Sequence, residues 1–332
     1  MFRASRIVSL AVLSPLAVAQ AKPSTWMNLA AGTDITYAVE DENKLAAGGG
    51  TGSGGAGRVA VRVVALGPDE SGAPRIALFE EQLPKQSFET PIVRAEIYVL
   101  DAATGGLKPA GASGKTGPLS ASTGSFPFPA LSAAEWKAKK PVARTMVAPV
   151  AGEAQDLPFT IRTETKKDGK KQVPVLVAAL DAKEPVTVKL AGIAGMVAMA
   201  QGQMPKLGAS GIEPVDASLV ALRREYTIDA KGNCSEVRTT GTVTAADGKL
   251  EIACSNVQRE TARRVVTAKE LPAFVEVVEE LCAIVGSNDG KDERKARAEA
   301  LQSKAKQAGF GETVARLLDS MSRSGLPPGV GR

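Results

Sequence analysis

Histidine is absent from all 332 positions of this chain. That removes the ordinary Ser/His and Cys/His dyads and the commonest protein ligand for transition metals, while carboxylate, lysine and tyrosine chemistry stays open. Cysteine is scarce, at three residues, and aromatic residues make up only 4 % of the chain. Two tryptophans leave few platforms for stacking a sugar ring, and no pair of acids stands out as a glycosidase requires. Long apolar runs are missing after the N-terminus, where no stretch approaches the ~20 residues of a membrane-spanning helix. The net charge of +5 is small for this length and shows no concentrated basic face, so nucleic acid is not an expected partner.

What is present begins with a leader. Arg3 and Arg6 precede a mostly apolar run over 7–19, broken only by Ser9, Ser14 and Pro15. Ala17-Val18-Ala19 and Ala19-Gln20-Ala21 then offer two small-x-small sites. This order is that of a secretory signal peptide over residues 1–21; the alternative is a buried N-terminal helix. No cysteine stands near the cleavage site, so a lipidated start is not indicated. Export would cut between Ala19 and Lys22, remove two arginines and no acid, and leave a periplasmic or secreted protein without a transmembrane segment.

Residues 46–57 are almost wholly Gly, Ala, Ser and Thr, a loop between strand-like runs at 35–40 and 58–66. Further runs rich in Val, Ile, Thr and aromatics lie at 75–80, 92–101, 159–167, 170–180 and 186–190. Residues 102–130, rich in Gly, Pro and Ser, read as a linker. Segments 224–230, 234–244 and 249–256 form a three-strand meander with turns at Gly232-Asn233 and Asp247-Gly248. Its expected register sets Ile228 opposite Val237, Tyr226 opposite Thr239, and Val243 opposite Leu250 or Ile252. Glu236, Arg238, Thr240 and Thr242 then face water. Tyr98-Val99-Leu100-Asp101-Ala102 echoes Tyr226-Thr227-Ile228-Asp229-Ala230, and Val63-Val64-Ala65-Leu66 echoes Val177-Ala178-Ala179-Leu180. A duplication over 22–110 and 130–266 would give two similar antiparallel units; chance similarity is the other reading.

After Val266 the apolar period changes. Leu271, Phe274, Val278, Leu281, Cys282 and Val285 recur at three and four, one face of a helix that Gly286 stops. Thr267 and Glu270 are spaced as a capping box, yet Pro272 would then sit inside the helix, so a start at Pro272 is the alternative. Charged 291–308 and amphipathic 312–322 complete a helical segment over 267–324, before a tail at 325–332. The expected fold class is therefore α+β: a mainly antiparallel, curved β-sheet over 22–266 with C-terminal helices packed on it. At the level of architecture this resembles bacterial envelope proteins that hold acyl chains in an open barrel, which implies a lipid ligand; fold alone does not fix function.

The short motifs carry little. Gly50-Thr51-Gly52-Ser53-Gly54-Gly55 matches a dinucleotide fingerprint by letter, but a strand follows where a helix is needed. Gly114-Lys115-Thr116 lacks the first glycine of a phosphate loop, Pro109 standing in its place. Asn288-Asp289-Gly290 has Val285 where the first calcium ligand belongs. Met196, Met199 and Met204 lie in a Gly/Ala-rich stretch and read as an apolar flap, a flexible loop or a short core helix. No cofactor and no metal site is expected. Cys254 and Cys282 form the one disulfide that geometry permits, against two buried thiols, with Cys234 left on the outward face. Any ligand cavity should lie between the meander and the first helix, walled by Val237, Val243, Leu250, Ile252, Phe274 and Val278; the alternative is that these six fill a closed core. Three functions compete: a non-catalytic exported protein binding an apolar ligand or an envelope partner, an assembly factor without ligand, and a carboxylate-based hydrolase.

Overall fold

The computed structural model describes residues 29–45, 58–83, 90–100, 107–110, 135, 140–150, 153–168, 171–190, 198, 204, 207–208, 211–212, 215–229, 233–245 and 250–323. The leader, the glycine loop, most of the linker, Met196, Met199 and the final tail lie outside them. The protein is α+β, an open, curved, mainly antiparallel sheet with three C-terminal helices.

The first half of the sheet is a plain meander: β1 (Thr33–Leu45), β2 (Arg58–Pro68), β3 (Pro74–Leu83), β4 (Ile92–Leu100) and the short β5 (Leu107–Pro109). The second half holds β6 (Val142–Val150), β7 (Glu153–Asp168), β8 (Lys171–Leu180), β9 (Val186–Leu190), β12 (Val215–Ile228), β13 (Cys234–Ala245) and β14 (Leu250–Val265). A separate two-stranded ribbon joins β10 (Leu207–Gly208) and β11 (Gly211–Ile212). The strand order is β5-β4-β3-β2-β1-β14-β13-β12-β8-β7-β6, with β9 also pairing β12. The two halves thus meet where β1 lies antiparallel to β14. The echoed segments fall on β2 and β4, which β3 separates, and on β8 and β12, which pair directly, so strand order differs between the halves.

Strand β6 was not expected from the sequence, and Pro149 is its penultimate residue. It occupies a sheet edge, where a residue without an N–H is tolerated. In the meander, Val243 pairs Ile252 as expected. The first hairpin is shifted by two residues at Tyr226, which pairs Val237, and by three at Ile228, which pairs Cys234. Its turn is longer than two residues, closed by Asn233 N–H donating to Asp229 Oδ1 at 2.8 Å. A bulge between Thr227 and Ile228 leaves Ser235 without a partner in register and reverses the alternation there. Cys234 is consequently turned inward, 7 % exposed, and not outward as expected.

Curvature gives the sheet two cores. The inner face collects Ile35, Tyr37, Val61, Val63, Ile76 and Leu78 from the first half with Phe159, Leu176, Tyr226, Ile228, Val237 and Ile252 from the second. Tyr37 on β1 donates its hydroxyl hydrogen bond to the carbonyl of Cys234 on β13 at 3.1 Å. The outer core lies on the other face of β2–β4, where Val64, Leu66, Ala77, Phe79, Val93 and Ala95 meet the helices α1 (Leu271–Gly286), α2 (Lys291–Gln307) and α3 (Gly311–Arg323).

The meander expected to receive the first helix does not. Its inner face is already covered by the first half of the sheet. The outer face of the second half is a charge ladder: Arg162, Glu164, Arg223, Glu225 and Lys166 pair in sequence, and Arg238, Glu236, Arg259 and Glu40 continue it. A helix docked there would desolvate ions, whereas docking on β2–β4 buries carbon. Among the described residues no helix is long and apolar enough to cross a membrane.

Helix α1 starts at Leu271, which puts Pro272 in its first turn, where no intrahelical N–H is lost. The capping-box pair still forms one turn earlier: the Thr267 N–H and hydroxyl both donate to Glu270 Oε2, at 3.1 and 2.8 Å. Helix α2 carries Asp292 and Glu293 in its first turn and Lys304 and Lys306 in its last, each sign suited to its end of the helix dipole. It ends in a Schellman motif, Phe310 N–H donating to Ala305 O and Gly309 N–H to Lys306 O, with Gly309 at φ 78°.

Candidate functional site

The six residues expected to wall a cavity are divided by the sheet. Val237, Val243, Leu250 and Ile252 belong to the inner core; Phe274 and Val278 belong to the outer one. All six are between 0 and 6 % exposed, so in this structure they fill two packed cores. Cys282 is a free thiol of the outer core, and the expected bond to Cys254 is not made. Cys254 lies on β14 opposite Gly241 and Asn43, and its side chain lies outside the described residues. Burial pushes the Cys234 and Cys282 thiols well above the ordinary thiol range, which leaves them protonated and unreactive. Met204 is 88 % exposed.

A concavity lies instead between the outer face of β1–β3 and helices α2 and α3. It is an open cleft of about 700 Å³. Thr36, Ala60 and Leu83 form its floor, and Gln302, Lys306 and Ala315 its helical wall. Two ion clusters hold these walls together. Asp34, 4 % exposed, accepts from Arg62 Nε and Nη2 at 2.7 and 2.5 Å and from Arg264 Nε at 2.7 Å. The same arginines reach the end of α2: Arg62 Nη1 donates to Gly309 O at 3.0 Å and Arg264 Nη2 to Ala308 O at 2.5 Å. Two guanidiniums thus satisfy carbonyls that a helix C-terminus leaves open. Burial works against the charge on Asp34, but Arg62 and Arg264 outweigh it and hold the pKa below the ordinary carboxylate value.

The second cluster fixes α3. Glu81, 5 % exposed on β3, accepts from the Thr313 hydroxyl at 2.6 Å and pairs with Arg316, which also holds Glu312 at 2.7 Å. Its carboxylate lies against the first turn of α3, where the helix dipole favours a negative charge. With both oxygens engaged, Glu81 is not placed to take a proton from a bound molecule. The charges lining the cleft are therefore largely neutralised among themselves, and its remaining surface is mostly apolar.

Sequence reasoning missed this site. Its one local signal was Gly309, the natural end of α2; nothing in the pattern joins Asp34, Arg62 and Arg264 across 230 positions. Among the described residues no group of three or more acids or cysteines is arranged to hold a metal ion. No protein-family model matches the chain, and no curated protein is significantly similar to it.

Proposed function

We propose that this chain is an exported, non-catalytic binding protein that takes a small apolar ligand in the cleft between β1–β3 and the helices α2 and α3. The observation that carries the reading is the cleft itself, about 700 Å³ of concave, mostly apolar surface between elements tied together by arginines on two buried carboxylates. Small-molecule sites of roughly 300–1,000 Å³ are lined in this manner, with a few polar groups at fixed places. Lys306 and Gln302 supply such groups. The export half of the reading rests on the leader-like pattern from Arg3 to Ala21.

The test is displacement by bulk. Ala315 is exposed on α3 and lines the cleft, so Ala315→Trp fills it without entering either core. A neutral solvatochromic dye such as Nile red should bind the wild type saturably and lose most of that signal in Ala315→Trp at unchanged melting temperature. Equal dye binding by both proteins would remove the cleft as the site.

A further inference from the structure

We infer that the interior of the sheet contains a binding site for a small oxyanion, a carboxylate or phosphate, centred on Arg224. This site is on the opposite face of the sheet from the cleft and does not depend on it.

Arg224 is the largest fully buried side chain among the described residues, 2 % exposed. It shares the inner face of β12 with Tyr226 and Ile228, among the apolar residues of the inner core. Across the sheet it stands opposite Ala178 on β8 and Thr239 on β13, and Thr239 stands opposite Asn256 on β14. The guanidinium lies 5.6 Å from the centre of the Phe159 ring, and the Tyr226 side chain is its hydrogen-bond partner. Among the described residues its Nε and Nη1 have no hydrogen-bond partner, and neither does the buried Oγ1 of Thr239 beside it. Among the described residues no carboxylate pairs with Arg224.

Arginine cannot discharge itself as a buried lysine can, so its positive charge persists in an apolar interior. The half-buried Arg62 and the exposed Arg264, by contrast, are both neutralised by the buried Asp34. Among the described residues Arg224 is partnered by a tyrosine hydroxyl alone, which burial keeps in its neutral form by raising its pKa to about 12. An oxyanion supplies both missing elements, a countercharge and acceptors for two N–H groups, and the Thr239 hydroxyl can donate to the same ion. A water molecule would supply acceptors without the charge. Nε and Nη1 are closed to solvent in this structure, so the anion reaches them as the surrounding side chains give way.

The experiment compares melting temperatures of the full chain in phosphate, acetate and chloride at equal ionic strength. Wild type should gain stability in phosphate or acetate over chloride, saturably, and the anion with the larger effect identifies the class. Arg224→Met keeps the shape without the charge and should lose this dependence while remaining folded in chloride. Thr239→Val keeps the charge and should weaken the anion's midpoint roughly tenfold. Should Arg224→Met not fold, wild type alone still decides: equilibrium dialysis against labelled phosphate and labelled acetate should show about one bound ion per chain. Stability that rises equally in all three salts, or dialysis without uptake, overturns the site.

Discussion

The Arg62 guanidinium lies 3.5 Å from the centre of the Phe310 ring. Phe310 in turn packs at a tilt of 46° against Phe79 of β3, at 5.3 Å, and against Phe274 of α1, at 5.8 Å, both centroid distances. One aromatic residue, just past the end of α2, therefore touches the sheet, the first helix and the ion cluster at once. Phe310→Ala should destabilise the protein by about 3–5 kcal/mol, the usual cost of emptying an aromatic site in a core. Urea denaturation checks this, and a loss below about 1 kcal/mol would show that the outer core closes without it.

Asp34 makes the docking of the helices sensitive to acid. Its folded pKa is held below the unfolded value of ~3.9, so its contribution is fully present above about pH 4 and fades as pH falls through the lower folded value. Asp34→Asn should cost on the order of 3 kcal/mol at neutral pH, because Arg62 and Arg264 lose their countercharge. The variant should also show a shallower loss of stability below pH 4 than wild type. Parallel acid slopes would assign the acid sensitivity to other carboxylates.

Gly309 is required twice over. Its φ of 78° is costly for any residue with a side chain, and a Cβ there would come within 2.6 Å of the Arg264 guanidinium. Gly309→Ala should lose about 1–2 kcal/mol from the backbone conformation, and more from displacing Arg264. In an Arg264→Ala background the same change should cost only the backbone share. Identical costs in both backgrounds, read from denaturation midpoints, would exclude the steric part.

Removal of everything after Val266 strips the cover from Phe79, Leu66, Val64 and Val93. Each such side chain returned to water costs ~1.5–3 kcal/mol, and together they form an apolar patch that invites aggregation. The truncated chain should be insoluble. A soluble, monomeric product with an intact β-sheet spectrum would make the helices an appendage.

Element types were largely legible because period alone reports them: the α1 stripe from Leu271 to Val285 and the alternation of the β13–β14 hairpin both reappear. The partner of the helices was not legible from the meander, since its Val237–Ile252 face fits a helix and a second sheet face equally well. The deciding signal lay in β2 and β3. Val63-Val64-Ala65-Leu66 and Ile76-Ala77-Leu78-Phe79 are unbroken apolar runs, and all eight residues are buried. Unbroken runs of this kind mark strands covered on both faces, one by the curled sheet and one by the helices. Arg224 was hidden because an arginine between Arg223 and Glu225 looks like one more rung of the outer charge ladder; its burial follows only from strand parity with Tyr226.

The cleft is tested most directly by native mass spectrometry of wild type and Ala315→Trp, each expressed as the full chain and purified without added ligand. Wild type should carry an additional mass of a few hundred daltons that organic solvent extracts, and Ala315→Trp, equally folded, should arrive bare. A bare wild type that also takes up no dye, or a variant that retains the same adduct, would contradict a ligand in the cleft; a wild type that arrives bound to a second protein would replace the small ligand with a macromolecular partner.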